Sequence, residues 1–215
     1  LQSNNLHRDV ITFPCDVACE EECIRLHQFC QNYNIEVVIH SAGVGVYGQF
    51  LKTSLDKELA MIQTNVVGMH ILMKLFLEDF VQKEYGYFLN VASSAGYMPG
   101  GPNMAAYYAS KAYTLSLTRS VMYESQIRHS KVYVGALCPG PVVTGFQENA
   151  GIHGKQSGMS ARDCAVYAVH KMFRRKPVII PGKIVQLTYL AKKLVPDAIL
   201  LACNARIQAY KDQLK

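Results

Sequence analysis

Residues 87–111 read YFLNVASSAGYMPGGPNMAAYYASK. The first six, Tyr87–Ala92, form a short apolar run with aromatic and β-branched members, the pattern of a buried strand. The run ends in Ser93-Ser94-Ala95-Gly96, and a loop rich in Gly and Pro follows. From Ala105 to Ser125 the spacing is helical, with Leu115, Leu117 and Val121 among the apolar positions. Strand, turn and helix at this spacing make one half of a βαβ unit.

The same alternation extends both ways. Upstream, Val10–Pro14 (VITFP) reads as a strand and Val17–Tyr33 as a helix. Glu36–His40 (EVVIH) reads as a strand entering a Gly-rich turn, Ser41–Gly48, and Leu55–Lys83 as a long helix. Downstream, Lys131–Leu137 (KVYVGAL) reads as a strand stopped by Cys138-Pro139-Gly140-Pro141. Residues 145–159 are polar and Gly-rich, which predicts a mobile loop. Ser160-Ala161-Arg162-Asp163 is a capping-box-type start for a helix to about Arg175. Val178–Pro181 (VIIP) reads as a last strand, and residues 186–215 form an amphipathic helical segment. The strands are apolar throughout, as strands covered on both faces are. The expectation is one α/β domain over residues 1–215, with a parallel sheet between helical layers. Ligands of such sheets bind beyond the carboxyl ends of the strands. That directs attention to Asp16, His40–Gly48, Ser93–Gly96 and Pro139–Thr144.

Composition narrows the function classes. Half of the 215 residues are apolar and 18% are charged, a globular balance. The net charge is +6, but Lys and Arg are scattered apart from short clusters at 171–176 and 192–193, so nucleic acid is not an expected partner. No apolar run reaches the length of a bilayer span, so no spanning segment is expected. No basic-then-apolar leader opens the chain. Seven Cys, an odd number, stand at 15, 19, 23, 30, 138, 164 and 203. Cys19, Cys23, Leu26 and Cys30 share one helix face. Without a CxxC pair or a His at ligand spacing, this face predicts free thiols rather than a metal site. Free thiols fit a reducing cytoplasm.

Three features carry chemistry. Tyr107 and Lys111, four apart, share a helix face. A phenol is a poor acid–base group at neutral pH, and an adjacent ammonium lowers its pKa. The same spacing recurs at Tyr167/Lys171 and Tyr189/Lys193, where it reads as an aromatic on a core face beside a solvated Lys. Tyr107 differs because it opens its helix fourteen residues after Ser93 ends a strand, so both hydroxyls can converge on one substrate oxygen. Alternatively, Ser93 caps its own turn. Gly43-Val44-Gly45-Val46-Tyr47-Gly48 is a literal GxGxxG, but Gln49–Ser54 continues as loop and Asp56 comes too soon. It reads as a flexible turn passing close to a ligand, not as a pyrophosphate cradle. Asn65, mid-helix, is either exposed or the centre of a helix distortion that holds a water.

Together these pieces resemble the short-chain dehydrogenase/reductase family from about residue 10 to 185, with residues 97–117 and the tail most similar to bacterial members. Cys15-Asp16-Val17 resembles the Asp-Val that contacts adenine. His40-Ser41-Ala42-Gly43 resembles the Asn-Asn-Ala-Gly turn, with His-Ser in place of both Asn. Asn65 resembles the Asn of the catalytic tetrad, Asn90-Val91-Ala92-Ser93 the strand carrying the catalytic Ser, and Tyr107–Lys111 the Tyr-x-Ala-Ser-Lys motif. The usual Ser-to-Tyr spacing would select Ser94, whereas the Asn-x-x-Ser match selects Ser93. Pro139–Thr144 resembles the segment that closes over the nicotinamide.

The resemblance implies a three-layer, doubly wound Rossmann-like sheet. It implies hydride exchange between NADP or NAD, NADP named first, and a small-molecule carbonyl/alcohol pair. Ser93, Tyr107, Lys111 and Asn65 would be catalytic. Asp16, Val17, Ser41, Ala42, Gly43, Tyr107, Lys111, Pro139, Gly140, Val142 and Thr144 would hold the cofactor. It also implies a homodimer or homotetramer through the helices at 55–83 and 106–126, and a lid at 145–159. The family's opening strand, its Thr-Gly-x-x-x-Gly-x-Gly turn, and the helix and strand after it have no match here. A missing first βαβ unit is therefore expected, with open edges where its strands would pair.

Overall fold

A computed structural model of the protein describes residues 9–128, 130–152 and 158–213. Strands β1 (Val37–His40), β2 (Tyr87–Val91), β3 (Tyr133–Leu137) and, beyond them in sequence, Val178–Ile179 form one sheet, all neighbours parallel. The register runs His40↔Asn90↔Ala136↔Val178, so the carboxyl ends of the strands are level.

Side chains alternate across this sheet because the strand period is two. Val38, Phe88 and Val134 face one way. They meet helix α1 (Glu20–Cys30) and the long helical run after β1, through Cys23, Met69, Leu72, Met73, Phe76 and Phe80. Leu89, Tyr133 and Leu137 face the other way and meet Cys164, Ala168 and Met172 of a helix spanning Ala161–Phe173. These two cores make the three layers that the uniformly apolar strands predict.

The expected helix over 55–83 is three pieces in one continuous rod. These are α2 (Leu55–Ile62), a π-helical stretch Gln63–Gly68, and α3 (Met69–Gln82). By length and composition alone, Leu55–Gln82 could cross a membrane. Its buried Met61, Met69, Leu72, Met73, Phe76 and Phe80 instead fill the core. The π-helical stretch has a packing cause: Gly68 lies against the backbone of Val17, and a Cβ there would fall 1.9 Å from the Val17 carbonyl oxygen.

Helix α4 (Ala105–Ile127) follows β2 and lies beside the sheet. Strand β4 (Val142–Val143) pairs with β5 (Met159–Ser160) in a short second ladder that the sequence pattern did not signal. Between them lies α5 (Phe146–Asn149). The mobile loop expected over 145–159 is thus partly regular, and residues 153–157 lie outside the described residues. Phe146 gives the segment its order, its ring 5.3 Å from that of Tyr107. Ser160 caps α6 (Ala161–Phe173) as expected: its Oγ accepts from the Asp163 N–H at 3.0 Å. β6 is Val178–Ile179. The expected amphipathic tail is two helices, α7 (Lys183–Ala191) and α8 (Asp197–Gln213). Pro196 separates them, since a proline disfavours helix at the residue before it.

Val10–Pro14, expected as a strand, joins no ladder; Val10 is 85% exposed. An extended segment without a neighbouring strand to bond cannot form one. β1 is the sheet's edge, and Val37 and Ile39 on its α6-facing side are exposed. All seven cysteines are free, Cys23 buried and Cys19 and Cys30 half-buried. Among the described residues, no group of three or more His, Cys, Asp or Glu could hold a metal ion.

Gly68→Ala forces either the rod or the 15–17 segment to move, because the clashing partner is backbone. Urea unfolding should show a loss of about 2–3 kcal/mol. A loss below about 0.5 kcal/mol would mean that the two backbones are not held together.

Candidate active site

The level strand ends open into a cleft of about 530 Å³. Strands β1, β2 and β3 contribute the residues that follow their carboxyl ends. Ser41 and Gly43 follow β1, Ser93 follows β2, and Pro139 and Gly140 follow β3. The Ser94 N–H donates to the Pro139 carbonyl at 2.8 Å, which ties the last two turns together. Tyr107 and Lys111 enter from the first turns of α4, and Val142 and Thr144 from the β4 segment.

Ser93 holds two relations at once. Its Oγ accepts from the Ala95 N–H at 3.1 Å, capping the Ser94–Gly96 turn. The same side chain lies near enough to the Tyr107 phenol to lower its pKa. The capping role of Ser93 is present, and it is the serine whose side chain acts on the Tyr107 phenol. Gly96 makes this possible: a Cβ there would fall 2.6 Å from the Lys111 carbonyl oxygen, so only glycine lets the turn lie on α4.

The electrostatics differ from the sequence expectation. The Tyr107–Lys111 spacing predicts a phenol whose pKa the ammonium lowers toward pH 7. Instead, burial pushes Tyr107 up to about 12, offset in part by Ser93. The Lys111 ammonium is turned elsewhere. It lies 5.9 Å from the centre of the Tyr107 ring and donates to the Val91 carbonyl at 3.0 Å. Burial also lowers Lys111 to about 8. Desolvation dominates both groups, because each loses water in its charged form.

Asn65 is buried and central. Its Oδ1 accepts from the Val44 N–H at 2.9 Å, and its Nδ2 donates to the Val44 carbonyl at 2.9 Å and to Ser110 Oγ at 3.1 Å. Asn65 is thus not exposed, and the helix around it is distorted. Its side chain clamps the Gly turn to α4. Gly43 sits where a Cβ would be 3.1 Å from Lys111 Nζ and 3.3 Å from Asn65 Oδ1, so the turn passes directly over both groups. No helix follows Gly48, in keeping with a loop rather than a pyrophosphate cradle.

The remaining residues lie elsewhere. Ala42 is exposed beside the cleft and Asp16 is exposed before α1. The Asp16 carboxylate accepts from the Ala18 N–H at 3.0 Å. Val17 packs against Gly68. None of the three is among the cleft's walls.

Other site residues gave little or no signal in sequence. Phe146 roofs the cleft over Tyr107. Tyr108 and Gln208, the latter from α8, line it on another side. A ridge of buried hydroxyls, Ser110, Thr114 and Thr118, runs along α4 toward the sheet, and Asn90 donates to Thr118 Oγ1 at 2.9 Å. Amphipathic spacing does not mark hydroxyls as core, so this ridge is invisible to a hydrophobic pattern.

The profile of the short chain dehydrogenase family matches residues 1–154. The chain belongs to that family. Among its curated relatives, the 3-oxoacyl-[acyl-carrier-protein] reductase FabG of Rickettsia typhi is 29% identical over 140 residues, 65% of this chain and 56% of that protein. A human 3-oxoacyl-[acyl-carrier-protein] reductase is 24% identical over 144 residues, 66% of this chain and 60% of that protein. The chain thus spans little more than half the length of these curated relatives. Among solved structures, a short-chain dehydrogenase from Sphingobium yanoikuyae in complex with NADPH superposes with a TM-score of 0.74. It is 24% identical, covering 83% of this chain and 70% of that one. One from Burkholderia phymatum in complex with NAD gives 0.74 at 21% identity, covering 82% and 72%. The short-chain dehydrogenase fold is therefore shared well beyond the matched segment.

His40 ends β1, is buried within reach of the Lys111 charge, and has no partner for Nε2. Burial first, and then the Lys111 charge, lower it to about 4. From pH 6.5 down to about 4 the unfolded chain takes up a proton at His40 that the folded chain does not. Stability from this group is therefore full above pH 6.5 and falls as pH falls through that window. His40→Asn should remove on the order of 3 kcal/mol of that decline. Urea unfolding at stepped pH tests this, and an unchanged slope in the variant would exclude a buried neutral His40.

Proposed function

We propose that this chain carries the catalytic centre of an NAD(P)-dependent oxidoreductase that interconverts a carbonyl and an alcohol. The observation that carries this reading is the Ser93–Tyr107 hydroxyl pair, with Lys111 on the same cleft wall. The reductase names of the curated relatives and the dinucleotides bound by the structural neighbours support it.

The fit of the nicotinamide end rests on Gly43. Its missing Cβ leaves room directly above Lys111 Nζ and Asn65 Oδ1. Ser41, Gly43, Pro139, Gly140, Val142 and Thr144 would border the cofactor there, and Lys111 would reach its ribose. Ala42 would lie alongside, with Asp16 and Val17 toward adenine. NADP and NAD both remain compatible with these residues. When bound, the nicotinamide supplies or accepts the hydride.

The chain's own groups handle the oxygen. Ser93 donates a hydrogen bond to the substrate carbonyl oxygen. The Tyr107 phenol, still protonated at neutral pH because burial raises its pKa, gives that oxygen its proton in the reductive direction. The Lys111 ammonium stabilises the phenolate left behind. Asn65 fixes the turn above Lys111 and would hold the water through which Lys111 reaches solvent. Phe146 and the 144–152 segment roof the site and exclude bulk water. Exposed Leu55, Leu59, Tyr113 and Tyr123 on α2 and α4 support a homo-oligomer, and the free thiols fit a cytoplasmic setting.

Tyr107→Phe should lower turnover by about a hundredfold or more with NADPH and any ketone the wild type reduces. Turnover near the wild-type rate would remove Tyr107 as the proton donor.

A second reading is a non-catalytic binding protein. His40-Ser41, standing where the resembled turn carries two Asn, favours it. Calorimetric titration with NADPH and then NADH separates the two. Micromolar binding supports the enzyme, whereas no binding to the folded chain supports the second reading.

A further inference from the structure

The chain's positive charge is not spread evenly. Between Asp163 and Asp197 stand seven Lys and Arg, at 171, 174, 175, 176, 183, 192 and 193, and no Asp or Glu. The rest of the chain has fifteen Lys and Arg against sixteen Asp and Glu, so the positive excess lies in this run. Helix α7 lies within it, and one side of α7 is fastened to the fold. Val185 packs over Gly140, and the Tyr97 hydroxyl donates to the Val185 carbonyl at 3.2 Å. Gln186 Nε2 donates to the Ile180 carbonyl at 2.8 Å, and Arg119 donates to the Tyr189 hydroxyl at 2.8 Å. The other side is apolar and open. Ile184, Leu187, Leu190 and, in the turn that extends the helix, Leu194 are 79%, 67%, 56% and 88% exposed. At 3.6 residues per turn these four fall within about a third of the circumference.

Lysines border the apolar row at both ends. Lys183 opens it, and Lys192 and Lys193 close it. Among the described residues, none of the three is in an ion pair. A contiguous apolar row held in water marks a surface that meets something else. A row bordered by cations alone complements a phase that is apolar within and anionic at its face. We propose that α7 is a membrane-docking helix that lies in the interface of a bilayer containing anionic lipid. Ile184, Leu187, Leu190 and Leu194 enter the acyl region, and Lys183, Lys192 and Lys193 lay their stems along the row and lift their ammonium groups to the phosphates. A second copy of the chain fits this face less well. Antiparallel pairing about a two-fold axis would set Lys183 of one copy beside Lys192 and Lys193 of the other, with no carboxylate from 164 to 196 to offset them. Nucleic acid offers phosphates but no apolar phase for the four side chains. The inference does not depend on the reaction at the cleft.

The test is flotation of the full chain with two kinds of vesicle, phosphatidylcholine alone and phosphatidylcholine mixed with phosphatidylglycerol. The chain should float with the anionic vesicles and not with the neutral ones, and raising the salt should weaken binding because it screens the lysines. Leu187→Gln/Leu194→Gln removes two side chains from the acyl region and should weaken binding about a hundredfold or more. Lys192→Gln/Lys193→Gln should weaken it about thirtyfold. Leu187 and Leu194 are exposed, so the circular dichroism and urea midpoint of the first variant should match the wild type. No flotation with anionic vesicles, equal flotation with neutral ones, or binding unchanged in either double variant overturns the proposal. A dimer in solution that dissociates in Leu187→Gln/Leu194→Gln also overturns it, since the row would then belong to a second copy.

Discussion

One buried amide holds the site together. Asn65 makes three hydrogen bonds, two to the backbone of Val44 and one to Ser110, and so joins the turn after β1, the long helical rod and α4. A regular α-helix has no place for this. Its interior offers an Asn side chain either solvent or its own backbone. The π-helical stretch Gln63–Gly68 accommodates Asn65 with its side chain turned inward, and Gly68 at the end of that stretch lets the rod close on Val17. Distortion of the helix and closeness of the two backbones are thus one feature. Without the clamp, Gly43 would have no fixed height above Lys111, and the cleft would lose its floor.

Water exclusion then sets the charges. Tyr107, Lys111 and His40 all move in the direction that favours their neutral forms, and burial is the largest cause for each. The attraction that a Tyr-x-x-x-Lys spacing promises is strongest when the ammonium points at the phenol. Here the Lys111 ammonium hydrogen-bonds the Val91 carbonyl instead. The result is a phenol held in its protonated form beside a lysine that burial lowers to about 8. His40 adds a neutral neighbour that leaves the Lys111 charge uncompensated.

Much of this was legible in the chain, for physical reasons. Strands buried on both faces must be apolar, so Tyr87–Val91 and Tyr133–Leu137 announced themselves. Ligands collect at carboxyl strand ends, so the turns at 41, 93 and 139 could be found from the strands alone. What failed was whatever depends on a partner distant in sequence. Val10–Pro14 has strand composition but no ladder to join. Phe146 gives order to a loop whose Gly content suggested none, because its ring packs on Tyr107. The hydroxyl ridge on α4 and the place of Gln208 follow from packing between distant elements, which periodicity does not encode.

The edge of the sheet and the roof of the cleft show the same logic from opposite sides. β1 has Val37 and Ile39 uncovered, yet its carboxyl end is held firmly, since Asn65 and Gly43 secure the turn from the α4 side. Ile39 of that edge lines the cleft together with Ser41 and Gly43 of the turn, and the other walls come from β2, β3, α4, α6, the 139–152 segment and α8. The Ser93–Tyr107 pair rests on β2 and α4 rather than on that edge, so the uncovered face of β1 and the hydroxyl pair depend on different parts of the fold.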